Sequence, residues 1–410
     1  MYTNHIIYQR NFVGIMQATP RRLFFEYQAP TSDLPLGLEI VKAEGVYLYD
    51  ASGKAYIDAI SGISVSNVGH RHPAVVAAIK QQCDKYLHTM VYGEYIQQPT
   101  VQLAKALCDL LPLHLNSVYF TNSGAEATEG AMKLAKRATG RSEIIAMHGA
   151  YHGSTQGALS VIGNECMKEA YRPLLPNITT ITYNSFDDLK KISNKTAAVI
   201  VEAVQAETGV ICPTIGYLKA ISARCKEVGA LLILDEIQSG MGRTGTLFHF
   251  EQHPGCQPDI LLTAKGLGGG LPIGAFIASN YLMQQFAHKP MLGHITTFGG
   301  NAVCCAAALA ALSIITQSNL MQQVFAKSQY LIQRLVSKKI KSIRSAGLLI
   351  AVEFETFEQN KFYIDALIEK GIITDWFLFN AHCMRIAPPL TITYSELDCI
   401  IAKINEVLHD

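Results

Sequence analysis

One lysine stands where a run of nearly bare backbone begins. In the stretch DILLTAKGLGGGLPIGA (259–275), Lys265 follows the apolar residues ILLT and precedes Gly266, Gly268, Gly269, Gly270 and Gly274. Glycines allow close backbone approach and positive φ. A lysine held against such a loop is desolvated, which lowers its pKa toward the neutral amine that condenses with aldehydes. The chemistry this suggests is a Schiff base with pyridoxal phosphate (PLP). A glycine-rich surface loop that happens to carry a lysine explains this stretch, taken alone, equally well.

Acids close two apolar runs. AVIV (198–201) ends in Glu202, and LLIL (231–234) ends in Asp235 and Glu236. Continuous apolar strands are those of a parallel sheet buried on both faces. Ligands of open α/β sheets gather at the carboxyl ends of such strands, which places these acids for function. SVYFT (117–121) runs as a strand into NSGAEATEGAMKLAKRATG, an amphipathic helix whose N-terminal N–H groups suit an anion. Asn122 or Ser123 with Glu126 also makes a capping pattern that needs no ligand. His148 and His152 stand four apart, but no glutamate follows His148 and glycines flank both, so no metal site is expected.

The elements that must position these residues follow from pattern. Strands are expected at 143–147, 179–182, 197–201 and 231–234, with a helix over 217–227, the alternation of an α/β domain. Earlier, LEIVKAEGVYLYDASGKAYIDAISG reads as short strands with a turn at Asp50–Gly53. Pro73 opens a helix whose apolar face is Val75, Val76, Ile79 and Cys83. Long helices over 302–316 and 320–336 precede a short α+β ending. The expected organisation is an N-terminal arm and part of a small domain (1–60), a large domain (61–300) and a C-terminal small domain (301–410).

Composition limits the function. The 410 residues are 49% hydrophobic and 16% charged, with a net charge of +1, which describes a well-buried globular chain with no basic footprint for nucleic acid. The ten cysteines show no C-x-x-C pair, and reduced, cytoplasmic thiols are expected. The N-terminus MYTNHIIYQRNF lacks a basic segment followed by an apolar run, so no signal peptide is expected. The most apolar run, 302–316, is too short to span a bilayer.

The order of motifs resembles the class III aminotransferases, PLP enzymes of fold type I, and among them the acetylornithine/ornithine aminotransferase branch. GHRHP, TNSGAEATEGAMKLAKRATG, YHGST, LDEIQSGMGRTG, AKGLGGGLPIGA, TTFGGN and RIAPPLTIT follow one another over nearly the whole chain. The resemblance implies an α/β fold with a large domain, its mostly parallel central sheet covered by helices, and a smaller α+β domain. It implies that Lys265 carries PLP and that Asp235 pairs with the pyridine nitrogen. Ser123, Gly124 and Ala125 match the phosphate-binding turn, and Tyr151 matches the aromatic residue stacked on the ring, with His152 beside it; without the family Tyr151 reads as a core aromatic. Ile237 matches the residue against the ring face and Gln238 the one near the phenolic oxygen. Thr297 matches a residue that reaches the phosphate in the neighbouring subunit, which implies a homodimer. Arg385 matches the arginine that grips the substrate α-carboxylate. Glu207 matches a glutamate that holds this arginine aside when an amine end is presented, with Glu202 behind the first contacts.

Two positions depart from the pattern. Many family members carry F-H-G-R-T, whose arginine binds a distal carboxylate; here Ser154 stands in that place. The Y-H-G-S-T form is similar to ω-amino acid:pyruvate enzymes of the same class. VEAVQAETG replaces the commoner E-P-x-Q-G-E-x-G. The expected function is transfer of an amino group from an ω-amino donor (acetylornithine, ornithine or 4-aminobutyrate type) to a 2-oxo acid such as 2-oxoglutarate or pyruvate. An aminomutase would share every cofactor residue. A non-catalytic PLP-binding scaffold predicts loss of Lys265 or Asp235, and both are present. A P-loop nucleotide site is excluded because no G-x-x-x-x-G-K-[ST] occurs.

Overall fold

The computed structural model describes residues 19–33 and 35–409. Most of the expected N-terminal arm lies outside them; its described end is a helix, Pro20–Tyr27, capped by the Thr19 hydroxyl, which accepts from Arg22 N at 3.3 Å. Three short antiparallel strands follow, β1 (Ile40–Glu44), β2 (Tyr47–Asp50) and β3 (Ala55–Asp58). The expected turn joins the last two, with Gly53 N donating to Asp50 O at 3.0 Å and a φ of +86° at Gly53.

The main sheet has seven strands: β4 (Ser117–Thr121), β5 (Glu143–Met147), β6 (Ile178–Ile181), β7 (Thr196–Glu202), β8 (Leu231–Asp235), β9 (Ile260–Thr263) and β10 (Gly274–Ala278). Their order is β4-β10-β9-β8-β7-β5-β6. Only β10 runs against its neighbours, so the sheet is mostly parallel as the apolar runs predicted. Every residue of β7 is buried, which is why its sequence shows no alternation. β6 begins one residue before the expected span, because Ile144 pairs with Ile178 and Thr182 N is taken by the Asp188 carboxylate at 2.8 Å.

Helices Pro73–Cys83, Gln98–Asp109, Gly124–Thr139, Tyr217–Val228 and Ala302–Gln317 cover this sheet. Pro73 does open its helix, but the buried face runs from Val75 to Gln82, and Cys83 is exposed. Position 82 stands two turns from 75, and the Gln82 amide is satisfied on Tyr86 O at 3.0 Å. Ala302–Gln317 packs Cys305, Ala308, Ala311 and Ile315 into the same core as Leu103, Leu107 and Leu261.

A second core gathers β11 (Ser342–Ala346), β12 (Leu349–Glu353), β13 (Ile372–Ile373), β14 (Asp375–Phe377) and β15 (Asn380–Ile386) with helices Leu320–Ile332, Phe357–Glu369 and Tyr394–His409. β13 pairs in parallel with β3, which draws residues 40–58 into this unit. β13 and β14 are two and three residues long, too short to leave a periodic signal in the sequence. From this packing we propose that the units divide at the 70° bend between Ala302–Gln317 and Leu320–Ile332, rather than at residue 301. Among the described residues no single helix is long and apolar enough to cross a membrane.

β4, β7, β8 and β9 share one direction. Ser123, Glu202, Asp235 and Lys265 therefore leave the same edge of the sheet.

Candidate active site

β9 stops at Thr263, and Lys265 opens a tight 3-10 turn with a φ of +44°. A left-handed φ at a lysine is a strained conformation that its surroundings must hold. Gly266 is required beside it, because a Cβ there would stand 2.6 Å from Asn67 Nδ2. The Lys265 ammonium donates to Gln238 Oε1. Burial lowers its pKa even though Glu207, Asp235 and Glu202 pull the other way. The direction of this shift is the one the glycine run suggested.

Asp235 ends β8 with both carboxylate oxygens engaged. Oδ1 accepts from Ile237 N at 2.9 Å, and Oδ2 meets His152 Nδ1 at 2.7 Å. His152 is buried, and among the described residues its Nε2 has no partner. Glu236, which the sequence placed with Asp235 as a functional acid, turns the other way. Its carboxylate takes the Phe250 N–H at 2.8 Å and the Ser239 hydroxyl, and burial lifts its pKa to about 7. It does not line the cavity. Glu202, at the end of β7, accepts from Tyr151 N at 3.3 Å; burial, with Asp235 nearby, raises its pKa well above the ordinary carboxyl value.

Ser123 caps the Gly124–Thr139 helix through its hydroxyl, which accepts from Glu126 N at 3.2 Å, while Glu126 reaches back to Asn122 N at 2.8 Å. The capping pattern is thus realised. Gly124 and Ala125, the first residues of this helix, line the cavity, and the N–H groups of a helix N-terminus suit an anion. Gly124 fits closely under Ile237, whose Cδ1 would stand 2.8 Å from an added Cβ.

Glu207 and Arg385 form a buried pair, Oε2 to Nη2 at 2.8 Å. Burial raises the Glu207 pKa, but Arg385 and Lys265 outweigh it and the carboxyl stays below its ordinary value. Leu378 N at 3.1 Å and Gln238 Nε2 at 3.4 Å complete its partners, so Gln238 bridges Glu207 to Lys265. The Arg385 guanidinium lies 4.5 Å over the Phe377 ring, with Nε 3.2 Å from Asp375 Oδ1. Its Nη1 is buried with no hydrogen-bond partner among the described residues. An unspent buried guanidinium donor marks a place for an acceptor from outside the chain.

A cavity of about 580 Å³ joins these elements. Ser123, Gly124, Ala125, Tyr151, His152, Glu202, Asp235, Ile237, Gln238 and Lys265 line it, and Ser154 stands at its wall with its hydroxyl 3.2 Å from the Tyr151 hydroxyl. Glu207 and Arg385 lie behind Gln238. Thr297 is exposed on a loop and is not among the residues lining the cavity. The segment Gly270–Ile273 of the glycine-rich stretch also lines it; sequence reasoning missed Val65 and Val204 in the lining, along with Asp375, Trp376 and Phe377 around Arg385. Only chain reversals bring them in, and no motif announces those.

Fold and cavity together define a PLP-dependent enzyme of fold type I. The model for "Aminotransferase class-III" matches residues 27–408. The chain is 39% identical over 393 residues to an acetylornithine aminotransferase of Methanopyrus kandleri, covering 95% of this chain and 98% of that protein. It is 39% identical over 379 residues to a putrescine aminotransferase of Pectobacterium atrosepticum, covering 88% and 80%. The structure of the ornithine aminotransferase from Toxoplasma gondii, described with PLP at its active site, superposes with a TM-score of 0.87 at 29% identity, covering 94% and 92%. The chain belongs to the class III aminotransferases, and it is a PLP-dependent transaminase that uses an amino donor and a 2-oxo acid. The residues present fit the cofactor: helix N–H donors for a phosphate, a carboxylate for a ring nitrogen, an amine for an aldehyde, and a bare-backbone cradle at Gly124.

Proposed function

We propose that this aminotransferase takes its amino group from an ω-amino donor of the acetylornithine, ornithine or 4-aminobutyrate type and passes it to a 2-oxo acid. The observation that carries this reading is the Glu207–Arg385 pair behind Gln238. With its arginine neutralised, the site accepts a terminal amine without demanding a carboxylate beside it; with Glu207 displaced, Arg385 offers Nη1 and Nη2 to the α-carboxylate of an acceptor. Ser123, Gly124 and Ala125 hold the phosphate of PLP, Asp235 its ring nitrogen, and Tyr151 and Ile237 its faces. His152 orients Asp235 through the 2.7 Å contact, and Gln238 lies near the phenolic oxygen. PLP, when bound, supplies the aldehyde that takes up the amine and a ring that accepts electrons. Lys265 would hold the aldehyde of PLP, and its amine is the base placed to take the proton from the donor carbon that bears the amino group.

Ser154 favours a particular acceptor. A neutral hydroxyl, held by Tyr151, stands where an arginine would pair with a second carboxylate, so a monocarboxylic acceptor such as pyruvate suits this wall better than 2-oxoglutarate. Thr297 reaches the phosphate of a neighbouring subunit in a homodimer, which agrees with its exposure in the single chain. Ten free cysteines agree with a cytoplasmic setting.

Visible absorbance of the purified enzyme with a panel of amines and both acceptors tests the reading. A band removed by borohydride and bleached by an ω-amine supports it. A protein colourless with added PLP overturns it. Lys265→Ala is expected to leave a soluble, folded chain with turnover reduced at least 10³-fold; near-normal turnover in that variant would remove Lys265 from the mechanism.

A further inference from the structure

Arg243 is fully buried and makes no direct ion pair among the described residues, Asp58 being the carboxylate that acts on its charge from further away. Its Nη1 and Nη2 are spent on neutral acceptors from three separate parts of the chain, and its Nε is buried with no hydrogen-bond partner among the described residues. Nη1 donates to Leu348 O at 3.0 Å and Pro388 O at 2.6 Å. Nη2 donates to Asn67 Oδ1 at 2.5 Å and Ser61 Oγ at 3.4 Å. A buried charge of this kind is costly, and its removal leaves four acceptors unsatisfied.

The segments it holds lead to both ends of the site. Pro388 lies three residues beyond Arg385, and the same segment is fixed by Leu390 N on Asn67 O at 2.8 Å and by the buried Lys327 Nζ on Leu390 O at 2.9 Å. Asn67 also donates to Met241 O at 2.9 Å and abuts Gly266, the residue after Lys265. Ser61 begins a run of positive φ, +52°, +56°, +66° and +59° through Ser64, which ends at Val65 in the cavity wall. Such a run needs outside restraint in a non-glycine chain. Ser61 is held by Arg243 and by its own bond to Ala387 O at 2.6 Å. Gly347 lets the β11–β12 turn close onto this hub, since a Cβ there would stand 2.8 Å from Arg243 O.

We propose that Arg243, acting through Asn67 and Pro388, is a positioning residue that sets the placement of Arg385 relative to Lys265. The inference rests on the reading of Arg385 as the α-carboxylate grip. A loose hub lets the strand of Arg385 shift while the chemistry at Lys265 persists, so the loss falls on carboxylate binding first.

The test compares wild-type enzyme with Arg243→Lys, Arg243→Met and Asn67→Ser in the full-length holoenzyme. The donor half-reaction, with an ω-amine, and the acceptor half-reaction, with pyruvate, are followed separately by absorbance. Asn67→Ser leaves Arg243 on Leu348 and Pro388, so it reports even where Arg243→Met fails to fold. The expected result is a KM for the 2-oxo acid raised about tenfold in Asn67→Ser, with the ω-amine half-reaction changed much less, and partial rescue in Arg243→Lys relative to Arg243→Met. Variants that lose thermal stability while keeping the wild-type ratio of the two half-reactions would overturn the proposal, leaving Arg243 a purely structural residue. A wild-type enzyme that turns over with Arg385→Met unaffected would instead sink the α-carboxylate reading itself.

Discussion

Asp235 and Glu236 are adjacent acids with opposite fates. Successive side chains leaving a strand face opposite sides, so one reaches the cavity and the other the core. Asp235 meets His152, and Glu236 is taken by Ser239 and Phe250 N. The Glu236 pKa of about 7 has a consequence for stability. Folding raises this pKa from 4.5, so its stabilising contribution is complete below pH 4.5. The contribution is lost as pH climbs toward 7, because the unfolded chain ionises first. The loss over that window is about 3 kcal/mol. Glu236→Gln mimics the protonated acid: its amide oxygen can take the Phe250 N–H, and its amide nitrogen donates to the Ser239 hydroxyl oxygen. Urea denaturation at pH 5 and pH 7.5 is expected to show a smaller difference for this variant than for wild type; an unchanged difference would assign the pH dependence elsewhere.

The turn after β4 depends on the strand beside it. β10 runs antiparallel to β4 and begins at Gly274, where a Cβ would stand 2.3 Å from Ser123 O and 2.6 Å from Thr121 Oγ1. The first of these neighbours is backbone and cannot rotate away. Gly274→Ala is therefore expected to push the Ser123–Ala125 turn off its position, at a cost of about 1–3 kcal/mol. Fluorescence titration of the apoenzyme should show PLP bound at least about tenfold more weakly, a shift of 1.4 kcal/mol. Equal affinity would mean that the turn is set by its own cap alone. The same glycine run that marked Lys265 in the sequence thus serves two elements: Gly266 lets the lysine turn meet Asn67, and Gly274 lets β10 pass close to the Ser123–Ala125 turn.

At the scale of the whole molecule, the exposed loop carrying Thr297 and the neighbouring Phe298, 56% exposed, fit a site completed by a second copy. Mixing refolded Thr297→Ala and Lys265→Ala chains tests this. Each variant alone is expected to be weak, whereas an equal mixture regains about a quarter of wild-type sites if the dimer contributes Thr297 across its interface. No regain would return Thr297 to an ordinary loop threonine.

How much was legible in the sequence depends on how local the determinant is. The strands β4, β5, β7 and β8, the Lys265 turn and the capped helix after Ser123 were visible because apolar runs, glycines and capping residues act on their immediate neighbours in the chain. The motif order carried the family, which the comparisons bear out. Tertiary structure alone decided which acid faces the cavity, that Gln238 joins Lys265 to Glu207, and that Arg243 ties three separate parts of the chain together. It also assigned the Ala302–Gln317 helix to the large core. These facts depend on partners dozens to hundreds of residues away, and a side chain's partner across a core is set by packing and desolvation, not by anything its neighbours in the chain can encode.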